Sequence, residues 1–196
     1  MFTSGDSGKL QRMRLLSGRA DACTLCGLSG SRSRVVVGSG SLDASIVLVG
    51  EAPGRKEDET GLPFVGSAGK LLDRLLAEAG LGRDDVFITN IVKCRPPGNR
   101  RPKRAEVEPC EPYLDEQLSI IMPRVVAPMG NSPLAYFQGR YGLPRRVVGD
   151  VHGEAFTVRE RWGEVTLIPL YHPAAAIYNR RLLKELEEDM MKLSRL

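Results

Sequence analysis

The stretch Ser45-Ile-Val-Leu-Val-Gly50 limits the possible folds more than any other part of the chain. It is an unbroken apolar run that ends in the breakers of Glu51-Ala-Pro-Gly54. A strand with one wet face alternates apolar and polar residues. A run without polar positions suits a parallel strand covered by helices on both sides. Val86-Phe-Ile-Thr-Asn-Ile-Val92 and Arg124-Val-Val-Ala127 repeat the pattern. Between them, Leu71, Leu72, Leu75, Leu76 and Ala79 recur at helical spacing over 68–79, with Gly80 as the stop. A second helix is expected over 111–122. Asn131-Ser-Pro133 reads as a cap with proline at the first helical position, opening a helix to Gln138. Residues 155–158 and 165–170 read as a hairpin that delivers Tyr171-His172-Pro173. Leu182, Leu183, Leu186, Met190 and Leu193 mark an amphipathic C-terminal helix over 179–193.

Strands alternating with helices predict an α/β fold, a three-layer α/β/α sandwich around a central, mainly parallel four-stranded sheet. A chain of 196 residues with 42% hydrophobic content can bury a core without covalent staples, so one domain over 1–196 is expected. Residues 1–30 read as a polar, Gly/Ser-rich N-terminal segment with a short helix near Leu10–Leu16.

No stretch approaches the ~20 apolar residues of a membrane span, and no signal-peptide run opens the chain. An intracellular, cytoplasmic protein without membrane contact is expected. Three Gln and four Asn make it amide-poor, which points to a hot source such as a thermophilic prokaryote. In a reducing compartment four cysteines are metal ligands before they are disulfides. Cys23 and Cys26 form a C-x2-C turn, while Cys94 and Cys110 lie fifteen residues apart. One tight pair with two scattered ligands favours an iron–sulfur site, with zinc next and disulfides or free thiols third.

The net charge is +4 and the sequence pI is near 9.0. Lys93, Arg95, Arg100, Arg101, Lys103 and Arg104 cluster in an acid-free, proline-rich stretch. Such a loop neutralises phosphates, or is simply a solvated basic loop. In doubly wound sheets ligands sit beyond the carboxyl ends of strands. Three segments fall there: Glu51 to Gly54, Asn90 with the basic loop, and His172-Pro173. Glu51, Glu57 and Asp58 are candidate acids or ordinary surface acids. Phe64, between breakers in Gly61-Leu-Pro-Phe-Val-Gly66, is a core residue or a stacking platform for a base. Asn90, an amide closing an apolar strand, bonds a loop or reads a base edge. His172 is structural or catalytic; His152, in a Gly-flanked loop, is assigned no role.

Four segments together resemble the family 4 uracil-DNA glycosylases, the iron–sulfur branch of their superfamily. They are Gly50-Glu-Ala-Pro-Gly54 with Glu57-Asp58, then Thr60-Gly-Leu-Pro-Phe-Val-Gly66. Thr89-Asn-Ile-Val-Lys-Cys-Arg-Pro-Pro-Gly-Asn-Arg100 and His172-Pro-Ala-Ala175 complete the set. The likeness runs over about residues 20–195. It implies a monofunctional enzyme of base excision repair that flips uracil from single- or double-stranded DNA and hydrolyses its N-glycosidic bond. It also implies a [4Fe–4S] cluster on Cys23, Cys26, Cys94 and Cys110.

Uracil would be bound by Ala52, Phe64, Asn90 and His172, with His172 donating to uracil O2. A second contact would lock the Asn90 amide against cytosine. Glu51, then Glu57, is the carboxylate implied to steady the sugar cation or place water, because Ala52 stands where the best-known branch has a water-orienting Asp. Arg95, Arg100, Arg101 and Lys103 would contact DNA. A related branch traps its product through a histidine in this loop. Residues 95–104 contain none, so turnover is implied. The protein is expected to be a monomer, with a sliding clamp as a candidate partner.

Overall fold

The computed structural model describes residues 2–3 and 6–196; Met1, Ser4 and Gly5, in the expected 1–30 segment, lie outside them. The strands are β1 (Ser39–Gly40), β2 (Ile46–Gly50), β3 (Val86–Asn90), β4 (Val125–Pro128), β5 (Phe156–Glu160) and β6 (Gly163–Leu167). The longer helices are α1 (Ser7–Asp21), α3 (Ser67–Glu78), α5 (Glu111–Ile121), α6 (Asn131–Arg140) and α9 (Arg180–Leu193). Short helices are α2 (Arg55–Thr60), α4 (Arg104–Val107), α7 (Val148–Val151) and α8 (Pro173–Ala176).

Among the described residues the strand order is β1-β3-β2-β4-β6-β5. β3, β2, β4 and β6 are parallel neighbours, and β1 and β5 add antiparallel edges. The expected four strands are therefore the parallel centre of a six-stranded sheet. The two-residue β1 is too short to leave a pattern in the sequence, and β5 is the outer arm of the hairpin.

The apolar runs are buried throughout because their two faces feed different helix layers. Val47, Val49, Phe87 and Val126 pack with Met13, Leu16, Leu114, Leu118 and Phe137 from α1, α5 and α6. Ile46, Leu48, Val86, Ile88, Val125 and Ala127 meet Leu72, Leu75, Leu76, Leu186 and Met190 from α3 and α9. The three-layer arrangement follows from that division.

Three local expectations change. The first thirty residues hold a fifteen-residue helix, not a short one: Asp6 caps it through the Lys9 amide, and Met13, Leu16 and Ala20 anchor it. Its sparse apolar residues hid it. The cap of α6 is Gly130, with φ 97°, because the Asn131 side chain instead accepts the Val148 amide at 2.8 Å. α2 was not foreseen, since its sequence Arg-Lys-Glu-Asp-Glu-Thr carries no apolar period.

Candidate active site

The four parallel strands end on one side, and a cleft of about 720 Å³ opens there. β2 delivers Glu51 and Ala52, β3 delivers Asn90, β4 delivers Met129 and Gly130, and the segment after β6 delivers Tyr171 and His172. Phe64 and Glu57 close one wall, while Arg100 and Arg101 stand at the rim. Of the expected residues, Glu51, Ala52, Glu57, Phe64, Asn90, His172, Arg100 and Arg101 line this cleft. Arg95 and Lys103 do not: Arg95 bonds Asn99 Oδ1 at 2.7 Å, and Lys103 is exposed on the loop beyond.

Phe64 is held in an unusual conformation. Its φ is +53°, a region costly for a residue with a Cβ, so its surroundings must impose it. Glu57 Oε1 accepts the amides of Val65 (2.8 Å) and Gly66 (2.9 Å), directly after the ring. Arg83 grips the carbonyls of Pro63 (3.1 Å) and Phe64 from the other side. Gly69 admits the Phe64 carbonyl to α3, where any Cβ would collide with it. The ring is 6% exposed and lies 5.6 Å from the His172 ring, tilted by 31°.

Asn90 is 2% exposed at the last pair of the β2–β3 ladder, opposite Gly50. Among the described residues no hydrogen bond holds its side-chain amide, so the expected polar lock does not take that form. Packing confines it instead. A Cβ on Gly50 would overlap the Asn90 amide oxygen and approach the Phe64 ring to 2.8 Å, so both residues crowd the bare glycine.

His172 caps α8, its Nδ1 accepting the Ala174 amide at 3.1 Å. The ring proton is thereby placed on Nε2, which is left to donate. Burial lowers its pKa to about 4, against the opposing pull of the Glu57 carboxylate. The imidazole is neutral at pH 7. The positive φ of Gly130 brings the chain after β4 against the His172 side chain, within 3.3 Å of any added Cβ.

The acids divide in role. Asp58 is buried and accepts the Ser33 amide at 2.9 Å, tying α2 to the segment before β1. Glu57 is half committed to the Phe64 loop. Glu51 lines the cleft, and no ion pair or side-chain hydrogen bond reaches it among the described residues. Sequence reasoning missed Met129–Asn131 and Tyr171, although the strand-end rule that found Asn90 applies equally after β4. His152, given no role, bonds Asp189 at 2.6 Å and packs on Tyr171 with ring centres 4.6 Å apart, outside the cleft lining.

The basic loop is less free than its sequence suggests. Lys93 belongs to the interior: it is 1% exposed, and burial lowers its ammonium to about 7 while Cys110 opposes the shift. Arg100 makes a two-pronged ion pair with Glu106 at 2.8 and 2.6 Å. That hydrogen bond lowers the Glu106 carboxyl to about 2. Arg104, at the start of α4, pairs with Glu108 just past its end at 2.5 Å. Arg101 lines the cleft, and no ion pair reaches its side chain among the described residues.

All four cysteines line a single void on the α1–α5 side, together with Arg32 and Val92. Among the described residues no three His, Cys, Asp or Glu side chains converge tightly enough for one metal ion. The donor set is sulfur throughout. Arg32 Nη1 lies 3.5 Å from Cys94 Sγ, and the Lys93 amide donates to Cys110 Sγ at 3.3 Å. Burial pushes the Cys94 thiol up to about 11 and also raises that of Cys110. Hydrogen bonds and nearby cations directed at buried sulfurs suit ligands that carry negative charge, as cluster-bound thiolates do.

Residues 37–193 match the family model "Uracil DNA glycosylase superfamily". Similar curated proteins include a "Type-4 uracil-DNA glycosylase" of Sulfurisphaera tokodaii, 46% identical, covering 89% of this chain and 80% of that protein. One of Archaeoglobus fulgidus under the same name is 46% identical, covering 89% and 88%. A third, of Saccharolobus solfataricus, is 42% identical over 94% and 86%.

Proposed function

Since the chain belongs to the uracil-DNA glycosylase superfamily, we propose that its strand-end cleft takes uracil flipped from DNA and reads and releases it with Asn90, Phe64 and His172. The enzyme is a uracil-DNA glycosylase of the type-4 kind, a hydrolase of N-glycosyl bonds that serves uracil excision in DNA repair. The observation that carries the site assignment is the convergence of Asn90, Phe64 and neutral His172 on one cleft at the strand ends.

Flipping costs a few kcal/mol of lost stacking and pairing. The Phe64 ring, fixed by Glu57 and Arg83, gives the base a new stacking partner. The Asn90 amide offers a donor and an acceptor to uracil O4 and N3–H, and the Ala52 backbone N–H adds a donor. Cytosine reverses both groups on that edge. With the amide crowded between Gly50 and Phe64, cytosine leaves buried groups unpaired, which costs about 1–3 kcal/mol each.

Breaking the C1′–N1 bond sends its electron pair into uracil and leaves positive charge on the sugar. His172 Nε2–H donates to uracil O2 as charge builds there, an oxyanion-hole role that needs the neutral ring with its proton on Nε2. Glu51 faces the cleft without a structural task and is assigned to steady the sugar cation and orient water. Water adds its hydroxyl to C1′, and its proton ends on uracil. Glu57 acts through Phe64 and through the field it places on His172.

We assign a [4Fe–4S] cluster to Cys23, Cys26, Cys94 and Cys110. The all-sulfur donor set, the C-x2-C pair with two scattered ligands, and the N–H groups aimed at Cys94 and Cys110 support it. The hydrolysis needs no electron, so the cluster serves as a cross-link. Uracil-bearing DNA is the partner, with Arg101 at the rim for phosphate contact.

The test is incubation with a labelled oligonucleotide carrying one uracil, followed by hot alkali. Cleavage at the uracil is expected, and Asn90→Asp should alter uracil-versus-cytosine choice more than DNA affinity. An Asn90→Asp protein that loses affinity and excision equally would count against base reading.

A further inference from the structure

We propose that Lys93 is a positioning residue for Asn90, tying the base-reading end of β3 to the cysteine site; this rests on the reading of Asn90 given above. Lys93 sits between the two sites and touches no substrate. Its Nζ lies 2.7 Å from Thr89 Oγ1, 2.7 Å from the Asn90 carbonyl and 2.5 Å from Gln117 Oε1.

Each of these partners is an acceptor. The Thr89 hydroxyl donates to the Val37 carbonyl at 2.8 Å, and Gln117 Nε2 donates to the same carbonyl at 2.7 Å. The Thr89 and Gln117 oxygens therefore receive from Lys93. Three acceptors call for three N–H donors, which the ammonium has and a neutral amine lacks.

The main chain of Lys93 is held as firmly. Its amide donates to Cys110 Sγ at 3.3 Å, and its carbonyl accepts the Val36 amide at 2.8 Å. One residue thus grips Asn90 with its side chain and a cysteine ligand with its backbone.

The choice of lysine is informative. A methionine would fill this buried space without the cost of desolvating a charge, so filling alone does not call for an ammonium. What the ammonium adds is direction. The Asn90 side-chain amide has no hydrogen bond of its own among the described residues, so its aim depends on where the backbone at the strand end is held. Lys93 fixes that carbonyl just where the chain leaves the sheet.

The test is a double-mutant cycle on single-turnover uracil excision with Lys93→Met, Asn90→Ala and the double variant. Visible absorbance and Tm are recorded for each protein. Lys93→Met should slow excision by about tenfold or more, the size of effect expected when buried acceptors lose their donor. In the Asn90→Ala background the same change should cost less than about twofold, because there is no amide left to aim. A Lys93→Met loss that multiplies in full onto that of Asn90→Ala overturns the proposal.

An Asn90→Ala protein with full activity instead overturns base reading itself, so the two failures are distinguishable. If Lys93→Met does not fold, Thr89→Val enters the same cycle with the same criteria. Thr89→Ser, which keeps the hydroxyl, should restore activity; loss with Ser equal to that with Val would also overturn the proposal.

Discussion

The role proposed for neutral His172 sets a limit on how excision should respond to acid. An ordinary histidine titrates near 6.5, so at pH 5 about 3% of it is neutral; at a pKa of about 4, about 90% is neutral. The two cases differ about thirtyfold in the population able to act as a neutral Nε2–H donor. Single-turnover rates, measured with enzyme in excess over a uracil oligonucleotide from pH 4 to pH 8, separate them. The rate should stay level down to about pH 5 and halve near pH 4. Half-loss near pH 6.5, or a rate that climbs as pH falls through 6.5, would refute the neutral-donor mechanism.

Stability follows the same titration. Because folding lowers the pKa, the unfolded chain takes up the proton first. The stability that His172 contributes is complete above about 6.5 and is lost as pH falls from there towards about 4. Glu57→Gln sharpens the test. It retains an acceptor for the Val65 and Gly66 amides but removes the charge that holds the His172 pKa up. The acid limb should move to still lower pH; an unmoved limb would show that the two groups do not interact, and a move towards neutrality would contradict the sign of the effect.

Gly50→Ala should cost about 1–3 kcal/mol through overpacking against Phe64 and Asn90, and lower kcat/KM by about tenfold. Urea unfolding and excision kinetics check both, and an unchanged Tm with unchanged activity would mean the crowding is easily relieved. Arg101→Gln should reduce the slope of log affinity against log salt by about one. Arg100→Gln, whose charge is already paired with Glu106, should change that slope less and lower Tm more; fluorescence anisotropy over a salt series distinguishes them. Cys94→Ser should abolish broad visible absorbance and lower Tm, with iron and sulfide content falling together. A colourless, zinc-loaded wild-type protein would overturn the cluster assignment.

Periodicity made the sheet's centre legible because burial on both faces keeps β2 and β4 apolar throughout and β3 apolar up to Thr89 and Asn90 at its end. It failed where burial is slight. β1 contributes two residues, and α2 is wholly polar, yet it places Glu57 beneath the Phe64 loop. The strand-end rule found the positions of Asn90 and His172. What holds them was not legible, since it depends on partners distant in sequence: Arg83 on the Phe64 carbonyl, and Gly130 against His172. Lys93 shows the same limit most clearly. Counted by composition it belongs with the loop's arginines, but the chain turns inward between Asn90 and Cys94, and Gln117 waits there from α5. Charge along a sequence does not say which charges reach water.

That inward turn also suggests why a hydrolytic enzyme keeps a cysteine site. Between Cys94 and Cys110 the chain forms a short turn at Pro97–Asn99, the single helical turn of α4 and a further short turn at Glu108–Cys110. Gly98 and Asn99 both take positive φ, and few side chains in the stretch are buried. A loop with so little packing opens easily. Here its first and last residues are cysteines of one site, and the Arg100–Glu106 ion pair braces its middle. The rim arginines and Asn90, the residue proposed to read the base, therefore belong to one restrained segment, residues 90–110. A change that loosens the cysteine site should weaken DNA affinity and base choice together. Phe64 and His172, held by Glu57, Arg83 and α8, keep their places.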